Sequence, residues 1–444
     1  MKSVRIVSVL TIVACLLLGA ARLHAADEVW AWGYNGYGQL GVGDIVDRWE
    51  PVQTHILTDV RAVEGGGFPS LAVQSDSTVW AWGDNSWGQL GVGDDFNRWE
   101  PVQTHILTDI IAVSAGTGHS LALKSDATVW AWGQNNCGQL GDSTNVNRLE
   151  PVQTHILTDV TAISGGFMNS LALKSDSTVW AWGDNSCGQL GVGDNTNRWE
   201  PVQTHILTDI IAISAGTGHS LALKSDGTVW AWGANDCGQL GINNTTWHNE
   251  PIQTHILNNA VAIAGGFGYS LALRSDSTVW AWGVNGNGQL GVGDTLDRWE
   301  PVQTHLLTDV AAISAGYAHA LALKSDGTVW AWGFNISGQL GDGTNITRLE
   351  PVQTHILTNI NAISTRGYHS LALRMDVGIE EEKGSLMEKK HGATIISGPL
   401  LLPKNRECKI FDIMGRVVRP EMVRLGVYFI EIDSEIVQKI VKIK

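Results

Sequence analysis

Between residues 27 and 376 the apolar positions fall in short runs that alternate with polar or small residues, and clusters of turn-forming residues separate the runs. In one stretch Ala212–Ala215, Ser220–Leu223 and Val229–Gly233 read as three strands, with a fourth near Pro201–His205. Ser225-Asp226-Gly227-Thr228 joins the second to the third with Asp-Gly hairpin chemistry. Trp230 and Trp232 are two residues apart, so both project from the same side of their strand. The pattern predicts a unit of four short strands with one large aromatic face.

The unit recurs. Trp30 and Trp32 reappear as Trp80/Trp82, Trp130/Trp132, Trp180/Trp182, Trp230/Trp232, Trp280/Trp282 and Trp330/Trp332, a spacing of 50 residues without insertion or deletion. Gly-Gln-Leu-Gly from Gly38, Glu50-Pro51 and Gln53-Thr54-His55 repeat at the same interval. One such sheet cannot bury its aromatic face alone, whereas seven stacked radially can, which predicts an all-β, seven-bladed propeller over residues 27–376. The first repeat starts at its third strand, Val29–Gly33, and the last stops after its second, near Ser370–Leu373. The N-terminal strand is therefore expected to complete the final blade and cover its open edge.

Composition sharpens this picture. Twenty Trp against 13 Phe and Tyr is unusual, and 14 of those Trp are the two repeated strand positions. The formal net charge is −15, but residues 27–376 alone hold 14 Lys and Arg against 34 Asp and Glu, a net of −20. Such a segment repels phosphate backbones, so no nucleic-acid partner is expected. Residues 1–26 read as a cleaved signal peptide: Lys2 and Arg5, an apolar run from Ile6 to Ala20, then small residues around Ala25-Ala26.

Positions kept in all seven copies answer a need common to every blade. His55 through His355, Glu50 through Glu350 and Asn35 through Asn335 form such sets, and turn or inter-blade hydrogen bonds explain them better than a ring of catalytic groups. Function is expected where the copies differ. If the strands alternate up and down, the loops after the first and third strands share one face, opposite the uniform Asp-centred turns. Tyr34, Tyr37, Trp87, Phe96, Trp247 and Phe334 lie in the third-strand loops, and Phe68, Phe167, Phe267, Tyr269, Tyr317 and Tyr368 in the others. Aromatics of this kind are typical interface anchors. No loop has the alternating ligand spacing of a calcium site, and no Cys/His set suggests zinc, so neither metal nor cofactor is expected. Cys137, Cys187 and Cys237 share one loop offset, which leaves a disulfide between neighbours open.

Val-Trp-Ala-Trp-Gly, Gly-Gln-Leu-Gly and Ser-Ala-Gly-x-x-His-Ser-Leu-Ala-Leu together resemble the repeats of the regulator of chromosome condensation family in all seven units. The resemblance implies a seven-bladed propeller but no single function, because that fold serves several. After a charged linker at 377–390, short apolar segments punctuated by Gly415 and Gly426 predict a small β-sandwich-like domain over 391–444. Ile410-Phe411-Asp412-Ile413-Met414-Gly415-Arg416, then Gly426-Val427-Tyr428-Phe429 and a final Lys-Ile-Lys, resemble the C-terminal sorting domain of type IX secretion. That resemblance implies contact with the secretion machinery and a secreted or outer-cell-surface location, with the tail either cleaved or anchored.

The expected role is thus a monomeric, non-catalytic module that binds a protein or glycan, with basic partners favoured by charge. An inhibitor of the β-lactamase inhibitory protein II type is the runner-up. A secreted hydrolase ranks below it, because no nucleophile, base and orienting group stand apart from the repeated sets, and nucleotide exchange or chromatin binding ranks last, because of the signal peptide and the propeller's net charge of −20.

Overall fold

The computed structural model describes residues 27–375, 393–396, 408–412, 417–418, 426–432 and 435–442. The chain divides into two units after Asp376. The first is built of seven antiparallel four-stranded sheets. Blade one runs Val60–Gly65, Pro69–Gln74, Val79–Gly83 and Arg98–Gln103, and blades two to six repeat it at the 50-residue interval. Blade seven joins the two ends of the propeller: Ile360–Thr365 and His369–Arg374 pair in sequence, and Glu28–Gly33 then pairs with His369–Arg374 over its full length. Arg48–Gln53 completes it on the outside. The expected closure is therefore what the structure shows, with two strands from each end.

Each blade interface is a copy of one design. Leu71, Val73, Val79 and Ala81 of blade one pack on Ile110, Val113, Ala122 and Trp132 of blade two, with Leu90 and Leu107 between them. The second Trp of each pair, from Trp32 to Trp332, is wholly buried. Its indole N–H needs an acceptor in that apolar setting, and the preceding blade supplies one: Trp82 donates to the Gln39 carbonyl at 2.8 Å and Trp132 to that of Gln89 at 2.8 Å. This contact explains Gly-Gln-Leu-Gly. Leu40 is buried between blades, and Gly41, at φ +67°, lies so close that a Cβ would stand 3.0 Å from the Trp82 ring. The first Trp of each pair is only half-buried, and in every blade but the first, where Gln74 stands instead, a cation lies above it, as in Lys174 over Trp180 at 5.5 Å and Arg374 over Trp30 at 4.9 Å.

The repeated polar sets stitch blades and turns. His55 Nδ1 lies 3.2 Å from Glu100 Oε1 of the next blade, and the series runs round the ring to His355 and Glu50 at 3.3 Å. Asn35 holds its own loop: its Oδ1 accepts from the Leu40 N–H at 2.9 Å and its Nδ2 donates to the Asp44 carbonyl at 2.9 Å. Asp44 in turn accepts from Arg48 at 2.6 Å, so this carboxylate serves the loop's shape.

A second histidine ring is fully buried. His119, His219, His319 and His369 open the second strands of their blades, each with Nε2 2.8–3.0 Å from a Ser hydroxyl of the following blade. Burial pushes their pKa values down, to about 3 for His119, His319 and His369 and to about 4 for His219.

In the second unit the described strands Ala393–Ile396, Cys408–Asp412, Val417–Val418, Gly426–Ile432 and Glu435–Lys442 form one five-stranded sheet. Its edge pair, 393–396 with 439–442, is parallel. The segments read as a signal peptide and a linker, Leu400–Leu402, and the layering expected of a sandwich lie outside the described residues.

Candidate binding face

The loops after the first strands form a collar around the propeller axis. Their backbones bond from blade to blade: Gly67 N–H to the Gly116 carbonyl at 3.0 Å, Thr217 to Gly266 at 3.1 Å, Tyr317 to Gly367 at 3.0 Å and Gly367 to Gly66 at 3.0 Å. The collar fixes the height and direction of the side chains that rise from it.

On one side of this collar the variable aromatics meet. Phe267, Tyr317 and Tyr368, from blades five, six and seven, stack in sequence with ring centroids 4.1 and 4.6 Å apart. Phe334, from the third-strand loop of blade six, adds an edge contact to Tyr368 at 6.1 Å. The Tyr34 N–H donates to the Tyr368 carbonyl at 3.0 Å, which brings in a second group: Tyr34, Tyr37 and Phe68, with centroids 6.2 and 5.1 Å apart. The outcome is an aromatic arc over blades five, six, seven and one, half-buried to exposed, with Phe267 39% exposed. Burial and neighbouring phenols raise the pKa of Tyr368, and burial that of Tyr34, so both keep their hydroxyl proton at neutral pH.

Trp87, Phe96, Phe167 and Trp247 are exposed on the same face but belong to neither ring group. Tyr269 corrects the expectation. It is 0% exposed, because it stands where other blades place the buried histidine, and its hydroxyl bonds the His319 carbonyl at 2.5 Å. It is a core residue. Cys137, Cys187 and Cys237 are free thiols whose pKa values burial raises.

Beneath the collar lies an axial channel lined by the first strands. Most blades place a serine here, which accepts a backbone N–H from its neighbour, as Ser114 does from Gly165 and Ser164 from Ala215, both at 3.0 Å. Blade one has Glu64 instead, and blade seven has Arg366 where every other copy has Gly. Arg366 reaches across the axis to donate to the Ala215 carbonyl of blade four at 2.9 Å. Glu64 accepts from Ser364 at 3.2 Å, and burial pushes its pKa up to about 7 against the pull of Arg366. Neither residue is among the aromatic candidates that the loop pattern singles out. Their signal was available: each breaks the consensus of the other internal copies at a position that otherwise carries only Gly, or only Ser and Ala.

Uniform blades that carry one variable, aromatic loop face define a class, the repeat-built propellers that present binding loops on an invariant ring. The RCC1-like domain model matches residues 102–379, and the Regulator of chromosome condensation (RCC1) repeat matches 26–73 and 76–123. The chain belongs to the RCC1-like domain family. Among solved structures, yeast RCC1 (Prp20) bound to Kap60 is similar at TM-score 0.73 and 22% identity, over 80% of this chain and 91% of that one. Prp20p of Saccharomyces cerevisiae, described with its binding to Gsp1p and histones, gives TM-score 0.72 and 21% identity over 81% and 93%. Human WBSCR16 gives 0.71 and 23% over 80% and 100%. At these identities the likeness is one of fold. The comparison with curated proteins found no match.

Proposed function

We propose that this chain is an exported, non-catalytic binding module that holds a protein or glycan partner on its variable-loop face. The observation that carries the reading is the aromatic arc: rings from six loops, separated by up to about three hundred residues, are gathered into one surface that the blade design does not require. A partly exposed set of stacked rings with protonated hydroxyls offers flat apolar area and hydrogen bonds at low entropic cost. The yeast protein of similar fold is described with protein partners, Kap60, Gsp1p and histones, which supports a protein partner here. The acidic propeller favours a basic one and disfavours nucleic acid. The signal-peptide pattern of residues 1–26 and the tail's likeness to a type IX sorting domain support export, through that machinery, to the medium or the cell surface.

Capture of partners from native extract on the immobilised chain tests this. Replacing Tyr317 and Tyr368 together by Ala is expected to lower retention at least about tenfold, since buried aromatic anchors are each worth about 2 kcal/mol or more. The melting temperature should shift by only a few degrees. Trp87→Ala with Trp247→Ala asks separately whether the outer loops take part. Undiminished capture by the Tyr317/Tyr368 variant would remove the arc from the function.

A further inference from the structure

The axial channel holds two charges that the ring itself does not call for. Glu64 stands where five other blades have Ser and one has Ala264, and Arg366 stands where the other six have Gly. At the second position the fold favours glycine, since a Cβ on Gly116 or Gly216 would run into the ring of the buried His119 or His219. Glu64 and Arg366 line the same channel, about 90 Å³ in volume, deep inside the ring but open to that space. The guanidinium is near enough to pull on the carboxyl, yet each group bonds elsewhere. Glu64 Oε2 accepts from Ser364 at 3.2 Å, and Arg366 Nη2 donates to the Ala215 carbonyl at 2.9 Å. Among the described residues, Glu64 Oε1 and Arg366 Nε and Nη1 have no hydrogen-bond partner, and none of these atoms is sealed from the channel.

The serines of the channel differ in the same respect. Ser314 donates to the Thr365 carbonyl and Ser364 to Glu64. Ser114, Ser164 and Ser214 each accept a backbone N–H of the next blade at 3.0 Å, and their hydroxyl hydrogens have no acceptor among the described residues. Blades two, three and four thus supply hydroxyl donors, the guanidinium that reaches blade four adds more, and one anionic acceptor stands in blade one. Opposite charges held apart inside a protein cost desolvation that only bonds to the charged atoms offset. A molecule that brings a carboxylate to Arg366 and an ammonium to Glu64 supplies both bonds. At about 10–15 Å³ for each water-sized group, the channel takes roughly six to nine heavy atoms. Ala162 and Ala212 line its next level, which leaves room for a small side chain. We propose that the axial channel binds a small zwitterion, an α-amino acid of the size of glycine, alanine or serine. Its carboxylate lies on Arg366 and the serine hydroxyls, and its ammonium on Glu64. Arg366 crosses the axis at the collar, so the ligand enters from the end where the first strands begin. This site is separate from the aromatic arc, and its test does not bear on the partner of that face.

Calorimetric titration of the full chain with glycine, L-alanine and L-serine tests the proposal, at pH 8 so that Glu64 is ionised and Arg366 still charged. At least one of the three is expected to bind one to one. Acetate and methylammonium, which carry one charge each, should bind at least about tenfold more weakly. Arg366→Gly and Glu64→Ser restore the residue of the other blades and should each weaken binding at least about tenfold. Their melting temperatures without ligand should stay close to that of the native chain, because both return to the pattern of the repeat. The single-charge ligands put the same question to the native chain, should a variant fail to fold. No saturable binding of any of the three amino acids up to about 10 mM overturns the proposal. So does undiminished binding by either folded variant, or acetate bound as tightly as glycine, since the channel would then hold a simple anion.

Discussion

Acidification from pH 7 to pH 5 is expected to unfold the propeller or bring it close to unfolding. His119, His219, His319 and His369 ordinarily titrate at 6.5, but burial holds them at about 3 to 4 in the folded chain. Between those values the unfolded chain binds more protons, so stability is fully present above pH 6.5 and is lost as pH falls. The slope is about 1.4 kcal/mol per pH unit for each histidine, or on the order of 5 kcal/mol for four, against a total stability of about 5–15 kcal/mol for a typical domain. Glu64 acts in the opposite sense. Its folded pKa is raised from 4.5 to about 7, so its contribution is present below pH 4.5 and is lost as pH rises toward 7. One carboxyl against four imidazoles does not reverse the trend, so stability should rise with pH and level off at about pH 7. Denaturant midpoints measured from pH 4 to pH 8 check this. Replacing the four histidines by Asn, which blade three already carries as Asn169, should flatten the acid limb. Glu64→Gln, which removes the opposing contribution, should steepen the rise of stability between pH 4.5 and 7. Equal midpoints for the native chain at pH 5 and pH 7 would refute the account.

Deleting residues 27–33 is expected to abolish the cooperative fold. This strand is the middle of blade seven, paired along six residues with His369–Arg374 and, on its other edge, with Arg48–Gln53. Its loss exposes the His369–Arg374 edge, strands the outer strand without a partner and removes the buried Val29, Ala31 and Trp32. Truncating one buried Trp costs about 3–5 kcal/mol by itself. Trp32→Ala and Trp232→Ala separate closure from packing, since the two residues occupy equivalent cores in blades seven and four. Both should lower the melting temperature by several degrees or more, whereas the strand deletion should leave no sharp transition. A sharp transition within a few degrees of the native one would show that the ring does not depend on its N-terminal strand.

Much of this architecture was legible in the amino-acid order. A strict 50-residue period, two Trp at a two-residue spacing and a first repeat lacking its first two strands specify the number of blades, their strands and how the ring closes. The reason is that a blade cannot bury its own face, so each copy must repeat whatever its neighbour needs. The face bearing the variable loops followed from strand alternation alone.

What lay beyond the sequence is set across blades rather than within one. Tyr269 belongs by position to the aromatic loops, yet it fills a histidine's place in the core. Phe267, Tyr317 and Tyr368 become one surface only because the collar aligns three loops that the chain reaches 50 residues apart. Arg366 spans the axis to blade four, a contact that exists only once the ring is shut. The periodic sequence determined what all blades share, because each interface imposes the same packing on every copy. Only the closed tertiary structure decided which departures from the period meet, because it alone brings distant copies to one place.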